Sequence, residues 1–172
     1  MYGNVNRKKH PDGGYYKDYF YYACKYACKH RKLVDGHRYI NFNGEIENII
    51  SKNYLYGVED NFFEPWTEAE VIQVKGFCIG VGICFDSAHS QHIKSLKSKG
   101  MDIFIGSSLY GKGKIEMTTN YSQISSEYKI LSAVVNYAQK TGQWISCGNS
   151  SFYDTNGKIY KNLEERDMRI YI

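Results

Sequence analysis

Phe77-Cys78-Ile79-Gly80-Val81-Gly82-Ile83-Cys84-Phe85 is a nearly unbroken run of apolar and small residues. A strand with one wet face alternates apolar and polar side chains, whereas a strand covered on both faces reads as a continuous run. The stretch therefore predicts a doubly covered strand in a layered sheet. Val71-Ile72-Gln73-Val74 ahead of it reads as another strand. Downstream, Ala88 to Lys99 reads as a helix, stopped by Gly100 where a left-handed residue commonly closes one. Ile103-Phe104-Ile105-Gly106 is the next buried strand. Thr118 to Lys140 is predicted as one long helix ended by Gly142, with Ile124, Tyr128, Leu131, Val135 and Ala138 as its apolar stripe. Trp144-Ile145-Ser146-Cys147 follows as a strand. Strand–helix–strand–helix–strand in this order predicts an α/β class with buried strands side by side.

The flanks read as hairpins, which makes the expected sheet mixed. His37 to Phe42 and Glu45 to Ile50 flank Asn43-Gly44, the preferred pair for a type I′ turn. Asp154-Thr155-Asn156-Gly157 leads into Lys158-Ile159-Tyr160, and Met168 to Ile172 alternates as a closing strand. Residues 1–14 read as a loose arm ending in the breaker His10-Pro11-Asp12-Gly13-Gly14. Residues 16–33 are predicted helical, because Phe20, Ala23, Cys24, Ala27 and Cys28 recur at helical spacing. Residues 53–70, with Gly57, Pro65 and several carboxylates, read as an irregular loop of the kind that carries function.

A chain of 172 residues supports one core rather than two comfortable domains. With 42% hydrophobic and 23% charged residues it has an ordinary globular composition, and its 17 tyrosines fit half-buried rings with wet hydroxyls. No apolar run approaches the ~20 residues that span a bilayer. The start, Met1 to Lys9, has no apolar segment of the signal-peptide kind, so a cytoplasmic setting is expected. Five cysteines fit no disulfide or zinc framework and are expected as reduced thiols. Residues 1–34 hold eight Lys/Arg against two Asp/Glu. Such a basic arm could touch nucleic acid, but without an aromatic-basic groove motif a solvated terminus is the better reading.

Cys84 is the most informative residue for chemistry. It ends a buried strand, where α/β folds place ligands. Backbone N–H groups at the start of the following helix would hold an oxyanion, and the same positive helix end would lower the thiol's pKa. The competing reading is a small buried apolar cysteine, like Cys78 or Cys147.

Gly82-Ile83-Cys84-Phe85-Asp86 resembles the nucleophile motif of the nitrilase superfamily of carbon–nitrogen hydrolases. Ser51-Lys52-Asn53-Tyr54-Leu55 resembles its catalytic-lysine segment, and Tyr56-Gly57-Val58-Glu59 a following glutamate segment. Lys99 to Ile103 with Gly106-Ser107-Ser108, and Trp144 to Ile159, continue the similarity, which covers residues 35–172. The resemblance implies a partial αββα sandwich, assembled as a homo-oligomer and needing no cofactor. It also implies a Glu–Lys–Cys mechanism that cleaves a non-peptide C–N bond of an amide, nitrile or N-carbamoyl substrate through a thioester. Cys84 would be the nucleophile, Lys52 the partner of thiolate and oxyanion, the Phe85 backbone N–H a second donor, and Glu59 a support or proton relay.

One departure stands beside the matches. The family's general-base glutamate lies on an early strand, and residues 1–34 contain no glutamate. Residues 1–34 are accordingly expected as a basic arm and helix, and 35–172 as a hydrolase-like domain incomplete at its front. The alternative function is a catalytically impaired remnant serving interaction or oligomerisation. Two weaker constellations remain. Cys24-x-x-x-Cys28 with His30 as a metal site loses to core packing. A Cys84–His89 dyad, with His92 one turn on, would make a different thiol hydrolase. The substrate is not readable: glutamine, N-carbamoyl amines, ω-amides and nitriles all stay open.

Overall fold

The computed structural model describes residues 21–29, 32–41, 43–141 and 143–165. Its first strands are β1 (Tyr21–Lys29), β2 (Lys32–Ile40) and β3 (Ile46–Ser51), paired antiparallel in the order β1-β2-β3. The helix expected over 16–33 is thus overturned across its described part. Tyr21 to Lys29 runs extended against β2, from Tyr21 opposite Tyr39 to Lys29 opposite Lys32. The Ala/Cys spacing imitates a helical stripe, but cross-strand pairing decides strand formation more than local preference does. Along β1, Cys24 and Cys28 lie roughly 13 Å apart rather than one turn apart.

The hairpin of β2 and β3 is where the sequence places it, but its turn differs. Of the expected turn pair only Gly44 is left-handed, at φ 85°. Asn41 closes the connection instead: its Oδ1 accepts the N–H groups of Asn43 and Glu45 at 2.9 and 3.0 Å. This Asn turn supplies what a type I′ pair would have.

The second sheet carries the centre of the chain. Its members are β4 (Val71–Val74), β5 (Phe77–Ile83), β6 (Ile103–Ser108), β7 (Leu131–Asn136), β10 (Ser151–Tyr153) and β11 (Ile159–Asn162). The small pair β8 (Lys140–Thr141) and β9 (Trp144–Ile145) forms a separate ribbon. The six strands lie in the order β11-β10-β7-β6-β5-β4, with β5, β6 and β7 parallel and the outer ones antiparallel. Helix α1 (Ser90–Ser98) crosses from β5 to β6, and α2 (Lys114–Tyr128) from β6 to β7.

The long helix expected over 118–140 is corrected here. Lys129 adopts φ 55°, and its N–H and that of Ile130 both turn back to the Ser125 carbonyl. This left-handed closure ends α2 at Tyr128. Leu131 to Asn136 is instead a strand, which suits the branched pair Val134-Val135. The strand expected over 144–147 is likewise shorter, with only Trp144–Ile145 paired. Met168 to Ile172 lies outside the described residues.

Two apolar clusters hold three layers together. Ile93 and Leu96 of α1 and Met117, Tyr121 and Ile124 of α2 bury against Phe104, Val134 and Tyr153 of the large sheet. Tyr39 and Ile50 of the small sheet bury against Ile72 and Val81 on its other face. The close approach of α2 requires Gly106, since a Cβ there would overlap the Tyr121 ring and hydroxyl. The chain is α/β, with a six-stranded mixed sheet flanked by helices and a second, three-stranded sheet.

Candidate active site

β3 and β5 end close together, and the candidate residues sit at those ends. β5 stops at Ile83, and Cys84 turns left-handed at φ 49°. That conformation costs a residue with a Cβ roughly 1–2 kcal/mol. A single 3₁₀ turn, Cys84–Ala88, follows, and α1 begins only at Ser90. The helix expected from Ala88 thus starts two residues later, and the short turn stands between it and Cys84.

Lys52 follows the last residue of β3 and is 1% exposed. Its backbone N–H donates to the Asp35 carbonyl and its carbonyl accepts from Trp66 N–H, both at 2.8 Å. The ammonium Nζ meets Glu59 Oε2 at 2.6 Å. The same oxygen accepts the Tyr56 N–H at 2.8 Å, and Glu59 lies in the 3₁₀ turn Gly57–Asn61. The loop over 53–70 thus curls back to pair the buried lysine. An ammonium with almost no water needs such a partner.

The thiol of Cys84 sits in the field of this pair. Burial pushes its pKa up, which outweighs a hydrogen bond from the Leu109 backbone and the Lys52 charge, both of which pull it down. Glu59 and Asp86 add to the upward push. The sequence led us to expect a lowered thiol; with no long helix aimed at the sulfur, desolvation dominates. Phe85, the residue named as backbone donor, packs its ring edge-on to Tyr56 and His89 at 5.0 and 4.6 Å.

The structure brings Cys84, Lys52, Glu59 and Phe85 into one neighbourhood, and it adds residues to which the sequence assigned no role. Asp86, 1% exposed, accepts three backbone N–H groups: Asn53 and Tyr54 on Oδ1 at 3.1 and 2.8 Å, and Ile83 on Oδ2 at 2.9 Å. Burial nevertheless raises its pKa to about 6. Ser87 Oγ donates to the Cys84 carbonyl at 2.9 Å and contacts the Tyr110 hydroxyl at 2.9 Å. Asn136, at the end of β7, accepts the Tyr110 N–H at 2.7 Å and donates to the Gly148 carbonyl at 2.8 Å. These ties link the ends of three strands beneath the thiol. Asp86 stood in the quoted motif; Tyr110 and Asn136 had no local signal at all.

The His89 reading is not supported by position. Its ring stacks on Tyr54, with centroids 3.8 Å apart and planes 8° from parallel. His92 is buried, with Nε2 3.3 Å from the Val81 carbonyl, and burial lowers its pKa to about 4. Among the described residues no group of three or more His, Cys, Asp or Glu is placed to hold a metal ion. No described helix is long and apolar enough to cross a membrane.

Comparison with known proteins gives the family and the fold. The family model described as carbon-nitrogen hydrolase matches residues 18–172. Saccharomyces cerevisiae Nit3, a member of branch 10 of the nitrilase superfamily, has a similar fold, with TM-score 0.72 and 20% identity over 78% of this chain and 50% of that one. The amidase from Nesterenkonia sp. AN1, caught with acrylamide added at its active-site cysteine, gives TM-score 0.77 and 16% identity over 84% of this chain and 58% of its own. Glutamine-dependent NAD+ synthetase from Acinetobacter baumannii gives 0.74 and 21%, over 84% and 28%. The chain thus spans between half and three-fifths of the length of the first two. No curated protein matches it by sequence. With residues 18–172 matched by the family model and the fold shared with these structures, the chain belongs to the carbon-nitrogen hydrolase family.

Proposed function

We propose that this chain carries the cysteine and lysine of an amide-cleaving site. The observation that carries the reading is the fully buried Lys52 ammonium, held at 2.6 Å by Glu59 within the field of the Cys84 thiol. A lysine buried in the protein interior with a carboxylate partner is costly to build, and it supplies positive charge where a thiolate and then an oxyanion would form.

In this reading Cys84 Sγ attacks the carbonyl carbon of the amide. The thiol proton passes to a carboxylate, with Glu59 the relay nearest to hand, and from there to the leaving nitrogen. The C–N bond breaks, the amine or ammonia departs, and a thioester remains on Cys84. Water then adds to the thioester carbon, the acid leaves, and the proton returns to sulfur. Lys52 and the Phe85 N–H stabilise the oxyanion in both halves. Burial, which pushes the thiol pKa up, favours proton removal during attack. A mutant of the Nesterenkonia amidase is described in complex with butyramide, so small aliphatic amides are the first substrates to try. The working form is taken to be a homo-oligomer in a reducing, cytoplasmic setting.

The test is ammonia release from butyramide, glutamine and related amides by the folded protein. We expect turnover by the wild type and none by Cys84→Ala; full activity in that variant would sink the reading. The second reading is a catalytically impaired module, favoured by the upward push on the thiol. A folded, assembled protein that releases no ammonia from any amide would support it.

A further inference from the structure

We propose that Asp86 is a positioning residue that sets the Lys52 ammonium against the Cys84 thiol. The inference rests on the reading of Cys84 and Lys52 given above and assigns the part that holds them in register. The geometry is specific. Asn53 and Tyr54, the two residues after Lys52, donate their N–H groups to Oδ1. Ile83, the residue before Cys84, donates to Oδ2. One buried carboxylate therefore grips the chain beside the lysine and beside the cysteine, segments more than thirty residues apart in sequence. The other backbone ties of Lys52 run to Asp35 and Trp66, neither of them on the cysteine's strand.

Only a carboxylate suits this place. All three partners are donors, so both oxygens must accept. Asparagine would turn an NH₂ toward either Ile83 N–H or the Asn53 and Tyr54 pair, leaving donor against donor in a buried site. The grip also braces the left-handed turn at Cys84, which begins at the residue whose N–H Oδ2 holds. A displacement of about 1 Å between reacting groups costs on the order of 10²-fold in rate, so a brace of this kind matters without touching substrate.

The experiment reads Cys84 directly and needs no turnover. Iodoacetamide labelling of the Cys84 peptide is followed against pH in four intact proteins: wild type, Lys52→Met, Asp86→Asn and the double variant. The Lys52 charge pulls the thiol midpoint down, so Lys52→Met moves it up in the wild-type background. If Asp86 positions Lys52, the upward move shrinks at least about twofold in the Asp86→Asn background, the signature of coupled sites. Loss of the Asp86 charge itself enters both arms equally and cancels. An equal move in both backgrounds overturns the proposal. Where wild type turns over amide, Asp86→Asn is expected to lower kcat roughly 10–100-fold with KM little changed. If Asp86→Asn does not fold by circular dichroism, Asp86→Glu, which keeps two acceptor oxygens at a shifted position, carries the same cycle. Failure of the nucleophile reading looks different: Cys84→Ala retains activity, whatever the cycle shows.

Discussion

At the scale of single residues, the site trades stability for charge. Lys52 and Glu59 form a pair in which the ammonium is buried and the carboxylate side chain is 32% exposed. Removing one partner of a fully buried pair costs about 3–5 kcal/mol, and partial solvent access to Glu59 reduces that to roughly 2–3 kcal/mol for Glu59→Gln. Urea denaturation of the variant checks this. Lys52→Met is expected to cut kcat on the order of 10²–10³-fold, as losing one oxyanion donor does, measured by ammonia release. Two further buried groups oppose each other with pH. His92 is held neutral well below its ordinary value, at about 4, so its contribution is intact above 6.5 and is lost as pH falls toward 4. Asp86 is pushed up from 3.8 to about 6, so its contribution is intact below 3.8 and is lost as pH rises toward 6. Each window spans about two pKa units, or roughly 3 kcal/mol. His92→Phe should therefore gain stability relative to wild type on going from pH 6.5 to 4.5, and Asp86→Ala should lose it. Urea midpoints at the two pH values test both signs. Of these residues, Cys84, Lys52 and Glu59 were singled out by their order along the chain, and the structure pairs the last two. Asp86 was visible as a letter of the motif, but two of its three N–H partners, Asn53 and Tyr54, come from a loop 33 and 32 residues upstream, and pairing across space leaves no local mark.

At the scale of elements, the stretch misread as one long helix over 118–140 has a local cause. Ile124, Tyr128, Leu131 and Val135 do recur at helical spacing, yet Lys129 in the left-handed region cuts the run in two. A lysine there gives no warning, whereas glycine would have. Lys129→Gly is expected to raise stability by about 0.5–1 kcal/mol, read as a higher urea midpoint. Conversely, β5, β6 and α1 were legible because continuous apolar runs and the glycine at 100 are strong local signals. Contact between α2 and β6 depends on the bare Gly106 beneath Tyr121. Gly106→Ala should cost at least about 1–3 kcal/mol, the usual penalty of overpacking. A drop in thermal midpoint, with loss of near-ultraviolet tyrosine dichroism, would register it.

At the scale of the whole molecule, the fold is a stack whose middle is the large sheet. β5, β6 and β7 are its inner parallel strands, while the residues of the edge strand β11 are exposed and the β8–β9 ribbon stands apart. Opening free energy should follow that order. Amide hydrogen exchange is expected to be slowest at Val81, Phe104 and Val134, and fastest along β8, β9 and β11. The α/β class and the layering were legible from the alternation of runs and breakers. The three-stranded sheet was only partly so, since β1 and the first half of β2 read as something else.

The left-handed backbone at Cys84 has a consequence for how such a chain would drift over generations. Glycine adopts that conformation freely, and asparagine tolerates it, whereas cysteine holds it at a cost. Mutation without selection for chemistry would therefore run downhill, trading the thiol for glycine and gaining stability in the exchange. Cys84→Gly should be both inert and more heat-resistant than its parent.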